Sequence, residues 1–142
     1  MKRLLVGIVL CIAAYGIVIA GDNESHNTLT NAKVERIEKD LINAFGSNIP
    51  GLQTSAATTL LQVHNVVPEY GWSNSIIPLM HIVNDENAHP DARIAAALAL
   101  YDLGSARGDY AIVQNARFAS NDRVKRFCSL LVANRHLETN TP

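Results

Sequence analysis

The fold is decided by the stretch HPDARIAAALALYDLG, residues 89–104. A proline stands at its first turn and a glycine at its end, which is the order typical of a single helix. Apolar residues cover nearly the whole circumference, so we expect this helix to be enclosed by other helices rather than laid on a surface. The stretch therefore predicts the middle inner helix of a small protein built from stacked helices.

Segments on either side of this stretch also have apolar residues at helical spacing. Their apolar positions lie within 34–45, 56–63, 76–83, 110–118 and 124–131. Residues 69–74 are expected to form a turn in which Ser73 or Asn74 caps the next helix, and Ser105–Gly108 a tight connector. No segment alternates with a period of two, so no sheet is expected. The predicted fold class is all-α, with six helices joined by short loops.

Two of these helices carry expectations about which side chains are buried. In the first, the charged residues are expected on the solvent side; they are Glu35, Arg36, Glu38, Lys39 and Asp40. In the last, capped by Asn121 or Asp122, the apolar residues are expected inside; they are Val124, Phe127, Cys128, Leu130 and Leu131.

The N-terminal segment, 1–20, has the layout of a secretory signal peptide. A basic start, Met1–Arg3, is followed by an apolar run from Leu4 to Ala20 and by polar residues from Gly21. This layout predicts export to the periplasm or the medium, with cleavage before Gly21. The alternative is a retained membrane anchor formed by residues 4–20, which as a helix is about 25 Å long.

The rest of the chain divides into three parts. Residues 21–32 are polar and non-periodic and are interpreted as a flexible spacer. Residues 33–137 form the helical domain, and 138–142 a polar tail. After cleavage Cys128 is the one remaining cysteine, so no disulfide is expected. Its position on an apolar helix face favours a small buried residue over a redox or dimer-forming role.

Charge is distributed unevenly along the chain. Residues 21–104 contain four basic and ten acidic residues, whereas residues 105–136 contain six basic and two acidic ones. One interpretation is two solvated ends of an elongated molecule; the other is a basic surface for an acidic partner or an anionic head group, with Arg117 and Arg126 as candidate contacts. Export and the acidic balance of the mature chain argue against nucleic acid.

The helices also contain an internal repeat. When the sequence is shifted onto itself so that position 53 meets position 93, Gln53, Ala56, Ala57, Leu60 and Val63 align with Arg93, Ala96, Ala97, Leu100 and Leu103. A second shift, which brings position 123 onto position 93, aligns Arg123, Phe127, Leu130 and Ala133 with Arg93, Ala97, Leu100 and Leu103. Each helix pair has an apolar face that it cannot bury alone, so stacking of about three antiparallel pairs is expected.

In the stretch from Asp91 to Gly104 the sequence resembles the HEAT-repeat family, in particular the HEAT-like repeats first named for phycobilisome lyases. The family places an arginine early in the inner helix, followed by alanine, leucine, a further aliphatic residue and glycine at this spacing. The resemblance extends over residues 33–136 and is weakest in the first pair, where Gln53 replaces the arginine and His64 the glycine. It implies a short α-solenoid.

The resemblance also implies structural roles for the repeated positions. Arg93 and Arg123 are expected to bond to a neighbouring pair or to cap a loop rather than to contact a ligand. The repeat signature comprises Arg93, Ala96, Leu100, Leu103, Gly104, Arg123 and Leu130.

The five histidines raise the hypothesis of a metal site, against the alternative that their spacing is coincidental. His81, Asp85, Glu86 and His89 lie close together in sequence, and His81 and Asp85 are one helical turn apart. The competing interpretation of His89 is a cap at the start of the next helix. We find no strained serine, reactive cysteine or glycine-rich phosphate loop, so no catalytic residue and no cofactor are assigned.

Two groups of residues are candidates for contact with a partner. Tyr70 and Trp72 lie in a predicted turn, where exposed aromatic residues often anchor interfaces. The alternative for Trp72 is packing over the seam between the first two pairs. Gln62, Asn65 and Asp102 are expected along one ridge near the ends of inner helices.

These observations favour an exported, non-catalytic interaction or scaffold module for a protein of the cell envelope or outside the cell. The alternative is a lyase-like or metal-dependent enzyme on the same scaffold. A membrane is an expected partner only if residues 4–20 are retained.

Overall fold

The computed structural model describes residues 30–139, with side chains through residue 136. Over this range the chain forms six helices and no strand, which confirms the predicted all-α class. The predicted signal peptide and most of the predicted spacer lie outside the described residues. The helices are α1 (Asn31–Phe45), α2 (Pro50–Val66), α3 (Ser73–Asn84), α4 (Pro90–Leu103), α5 (Ala106–Phe118) and α6 (Asp122–Thr139).

The helices pack as consecutive pairs, α1 with α2, α3 with α4 and α5 with α6. Contacts also run through two rows: α1, α3 and α5 touch in order, and so do α2, α4 and α6. We call α2, α4 and α6 the inner row. Helix α4 contacts α2, α3, α5 and α6, so it lies at the centre of the molecule. That position explains its alanines: Ala92, Ala96, Ala97 and Ala99 are all buried, and small side chains let several helices approach one backbone.

Both ends of α4 follow the sequence prediction. Pro90 occupies the first turn, and the Nδ1 atom of His89 accepts the backbone N–H of Asp91 at 3.3 Å. At the other end Gly104 has a φ of 62°, a left-handed conformation that glycine adopts without a steric penalty. The helix that organises the sequence is therefore bounded by residues whose backbone chemistry fits a start and a stop.

Three local expectations are wrong. Helix α5 begins at Ala106, so the predicted connector Ser105–Gly108 is much shorter, and the Ser105 hydroxyl accepts the N–H of Gly108 as a cap. Helix α3 begins at Ser73, so neither Ser73 nor Asn74 is its N-cap; Trp72 is, with a φ of 42°. Leu130, expected inside, is 63% exposed.

The ends of the domain differ slightly from the predicted boundaries. Helix α1 begins at Asn31 and Thr30 stands at its N-cap position without a side-chain hydrogen bond. At the other end α6 extends to Thr139, so the helix includes the start of the predicted polar tail. Asn121 caps this last helix, as one of the two predicted caps, because its Oδ1 atom accepts the N–H groups of Arg123 and Val124.

Candidate interaction surface

A buried arginine joins three helices at the centre of the molecule. Arg93, only 1% exposed, donates from Nε to the carbonyl of Val83 at 3.0 Å, near the end of α3. Its Nη2 atom donates to Glu86 Oε1 at 2.8 Å and to Asn115 Oδ1 at 2.9 Å. Because the guanidinium satisfies acceptors from α3, α5 and the loop before α4, it is a structural group and is not available to a ligand.

Glu86 extends this network to the turn between α5 and α6. Its Oε2 atom accepts the backbone N–H of Ser120 at 3.2 Å and also the Ser120 hydroxyl. The hydrogen bonds from Arg93 and Ser120 lower the pKa of Glu86 to about 2. Both carboxylate oxygens of Glu86 therefore accept hydrogen bonds that join the loop before α4 to the turn between α5 and α6, so Glu86 is no longer a candidate metal ligand.

The matching position in the first pair performs the same task. Helices α2 and α4 begin at Pro50 and Pro90, so Gln53 corresponds to Arg93. The Gln53 amide donates to the carbonyls of Phe45 at 3.0 Å and Ser47 at 2.6 Å, where α1 ends. The first pair has a glutamine where the second has an arginine, yet this side chain also satisfies carbonyls at the end of the preceding helix.

The third pair follows a different register from the one predicted. Helices α4 and α6 begin at Pro90 and Asp122, which moves the alignment by two positions from the predicted one. In the observed register Arg123 matches Asp91 and Leu130 matches Leu98. Arg123 Nη2 in fact bonds to Asp91 Oδ1 at 3.0 Å, which ties the starts of α4 and α6 together. Arg93 and Arg123 therefore both bond outside their own pair.

A buried carboxylate holds the other end of α3. Glu38 of α1 is only 2% exposed, and its Oε1 atom accepts both the N–H and the hydroxyl of Ser75 at 3.1 Å. Its Oε2 atom accepts from the Tyr70 hydroxyl at 2.8 Å and the Asn74 amide at 3.3 Å. The expectation that Glu38 lies on the solvent side is wrong, because the donors that stabilise its charge are supplied by residues 70–75.

The two aromatic residues of this turn are not on the surface as a pair. Trp72 is 1% exposed and its ring meets the Tyr70 ring edge-on at a centroid distance of 5.0 Å. Desolvation, together with the hydrogen bond to Glu38, raises the pKa of Tyr70 to about 12. Trp72 is therefore unavailable to a partner in this conformation, and its burial agrees with the packing alternative.

The exposed side of the inner row brings together several of the predicted contact residues. When positions are counted from the first residue of each helix, three exposed residues are equivalent: Gln62 of α2, Asp102 of α4 and Asn134 of α6. Asn65, also exposed, lies one turn from Gln62, and His64 Nε2 lies 3.9 Å from Asp102 Oδ2.

In a second set of matching positions, two of the three residues are leucines. Thr58, Leu98 and Leu130 occupy one position on α2, α4 and α6; Leu98 is 39% and Leu130 63% exposed. A third set, Gly51, Asp91 and Arg123, is exposed near the helix starts. We call these three sets the inner-row surface: a central apolar strip flanked on one side by an ion pair and on the other by polar side chains.

The candidate metal ligands are separated. His81 and Asp85 line a cleft of about 390 Å³ between the ends of α1 and α3, but His89 caps α4 elsewhere. Within residues 30–136 no three His, Cys, Asp or Glu side chains converge in a way that would hold a metal ion. Cys128 is fully buried, and burial raises the pKa of its thiol to about 11, so it is present as a neutral thiol.

Comparisons of the chain with protein-family profiles, with curated proteins and with solved structures return no match. In the part of the chain that the structure describes, no helix is long and apolar enough to cross a membrane.

Replacement of Arg93 by lysine tests the central network. Lysine keeps the positive charge, but its single ammonium group cannot bond to all three acceptors that the planar guanidinium of Arg93 reaches. We therefore expect the free energy of unfolding to fall by about 2 kcal/mol. Urea denaturation followed by circular dichroism measures this. The matched control is Arg123→Lys, whose site is largely exposed and should change stability by less than about 0.5 kcal/mol. Equal losses in the two variants would contradict the assigned role.

The lowered pKa of Glu86 predicts a pH dependence of stability. Because the folded-state pKa is about 2 and the ordinary value is 4.5, the carboxylate stabilises the fold above pH 4.5, and this contribution disappears as the pH falls toward 2. At neutral pH the free energy of unfolding of wild type should exceed that of Glu86→Gln by up to about 1 kcal/mol. The difference is limited to this size because the Glu86 side chain is half exposed. Urea titrations at several pH values should show this difference shrinking in acid; a constant difference would refute the ion pair.

Proposed function

We propose that this chain is a short α-solenoid of three stacked helix pairs, similar to HEAT repeats, and that it binds another protein without catalysing a reaction. The order of helix contacts supports the solenoid, since each row is continuous from the first pair to the third. The shared role of Gln53 and Arg93 adds support, because one task recurs at the same position of successive pairs. Stacked helix pairs commonly bind partners along one exposed row.

The observation that carries the binding proposal is the apolar strip of the inner-row surface. Leu98 and Leu130 are exposed at matching positions on adjacent helices, whereas their other apolar neighbours on α4 and α6 are largely covered. A repeated exposed leucine between polar flanks fits the buried centre and polar rim of a protein interface. A partner segment crossing the row would cover both leucines at once.

We also propose that this binding takes place outside the cytoplasm, in the cell envelope or the medium. The basic start, the apolar run and the polar residues that follow over residues 1–24 support export, and these residues lie outside the described part of the chain.

Site-specific photo-crosslinking in the native host tests the proposed surface. A photoreactive side chain placed at Leu98 or Leu130 should give a discrete covalent adduct with one protein. The matched control is Ile77 on α3, which is 42% exposed but lies in the other row; it should give no such adduct.

A second set of variants separates binding from folding. Leu98→Thr combined with a crosslinker at Leu130 should abolish the adduct, because the partner segment is proposed to cover both leucines at once. Threonine is chosen because it is the residue at the matching position, Thr58, of the first pair. The melting temperature should change little, because the replaced side chain is partly exposed. Equal adducts from Ile77 and Leu130, or none from either leucine, would contradict the proposal.

A further inference from the structure

The turn between α5 and α6 is surrounded by basic side chains and one exposed aromatic ring. Arg117 and Phe118 end α5, and Lys125 and Arg126 lie in the first turns of α6. All four are exposed, and Phe118, at 73%, is the most exposed of the large apolar side chains in the described residues. We call Arg117, Phe118, Lys125 and Arg126 the basic turn patch.

The two helices lie side by side at this patch. The Ser129 hydroxyl of α6 donates to the carbonyl of Lys125 at 2.8 Å, and its Oγ atom lies 3.5 Å from the carbonyl oxygen of Ala116 on α5, next to Arg117. Other side chains of the same pair are buried: Ile112 and Asn115 on α5, and Val124 and Cys128 on α6. The patch is therefore a solvent-facing surface on the third pair rather than a gap within the core.

The cations of the patch are not paired with carboxylates of the described residues. Within residues 30–136, neither Arg117, Lys125 nor Arg126 forms an ion pair with a carboxylate; Arg126 donates from Nε to the carbonyl of Asp122. Two carboxylates lie at this turn: Glu86 is already paired with Arg93, and Asp122, the exposed first residue of α6, forms no ion pair within residues 30–136. The ion pairs of the third pair use Arg123 and Arg135 instead. Three charges and an uncovered ring thus meet solvent together, which favours a partner that supplies both negative charge and apolar contact.

The rest of the molecule limits what that partner can be. Residues 30–104 contain eight acidic and four basic residues, so the surface beyond the patch is net negative. An extended polyanion such as a duplex or an anionic bilayer would face this negative surface as well as the patch. A second copy of the patch would be repelled by the first. A short segment, in contrast, can contact the cations without approaching the acidic pairs.

We propose that the basic turn patch docks a short acidic segment of a partner protein, with one apolar side chain of that segment covering Phe118. The inference rests on the proposed function in that both require a protein partner. It is tested separately, because it concerns charge at the α5–α6 turn rather than the leucines of the inner-row surface.

Fluorescence anisotropy with the purified full-length chain and a labelled synthetic peptide tests the docking. The peptide carries glutamates around a central Leu-Phe pair, and a second peptide has glutamine at every glutamate position. We expect the glutamate peptide to bind, and its affinity to fall at least about tenfold between roughly 0.02 and 0.3 M salt, since exposed charges are screened. The glutamine peptide should bind at least about tenfold more weakly.

Matched charge variants locate the binding. Arg117→Gln with Arg126→Gln should weaken binding about tenfold or more, whereas Arg36→Gln with Lys39→Gln, which removes the same charge from exposed sites on α1, should change it less than about twofold. Phe118→Ser should weaken binding but keep the salt dependence. If the first double variant unfolds, Lys125→Gln with Arg126→Gln replaces it. Circular dichroism verifies that each variant is folded.

Several results would overturn the proposal. These are equal binding of the two peptides, equal loss from the α1 control pair, and no binding of the glutamate peptide. Tighter patch-dependent binding to phosphatidylglycerol vesicles or to duplex DNA would assign the patch to those polyanions instead, and salt-sensitive dimers in sedimentation would assign it to a second copy. Loss of peptide binding with a retained adduct at Leu130 would reject the acidic segment and leave the proposed function standing.

Discussion

Helix α3 is held at both ends by buried charges that belong to its neighbours. Glu38 of α1 accepts hydrogen bonds at the start of α3, and Arg93 of α4 donates to a carbonyl near its end. Each charge has the sign that stabilises that end of a helix dipole, negative at the start and positive at the end. Each is also costly to bury unless its hydrogen bonds are made. The register of the first two pairs, and through Asn115 the position of the third, depends on these bonds.

The sequence predicted the scaffold far better than its polar interior. Helix α4 follows from the proline, the glycine and the alanines of residues 89–104, because these signals are local. The prediction for Glu38 was wrong because it followed the charge of the residue and not its position in the helix. Positions 34, 38, 41 and 45 form one helical stripe, and the other three members are buried and apolar. The donors that make burial tolerable belong to Tyr70 and Ser75, beyond the whole of α2, and no local pattern contains them.

The candidate surface shows the same difference between local patterns, which the sequence contains, and contacts between helices, which it does not. The sequence places Gln62 and Asp102 on one ridge because the repeat that relates the first two pairs aligns them, and both are exposed there. It predicted that Leu98 would be covered, because α4 was expected to be enclosed by other helices, and Leu98 is 39% exposed. It placed Leu130 inside, because the third pair is shifted by two positions from the predicted register. For Trp72 the sequence left open an exposed contact and packing; the residue is buried at the N-cap of α3. Periodicity thus locates helices, but which face of a helix stays uncovered depends on its neighbours.

Hydrogen exchange of α3 in Glu38→Ala tests most directly whether its ends are held by neighbouring charges. The control is Glu35→Ala, an exposed carboxylate on the same helix. We predict that the α3 amides of Glu38→Ala exchange about tenfold faster or more than in wild type, as a loss of at least ~1.4 kcal/mol requires, while those of Glu35→Ala are unchanged. Unchanged α3 exchange in Glu38→Ala, or equal acceleration in the two variants, would contradict it.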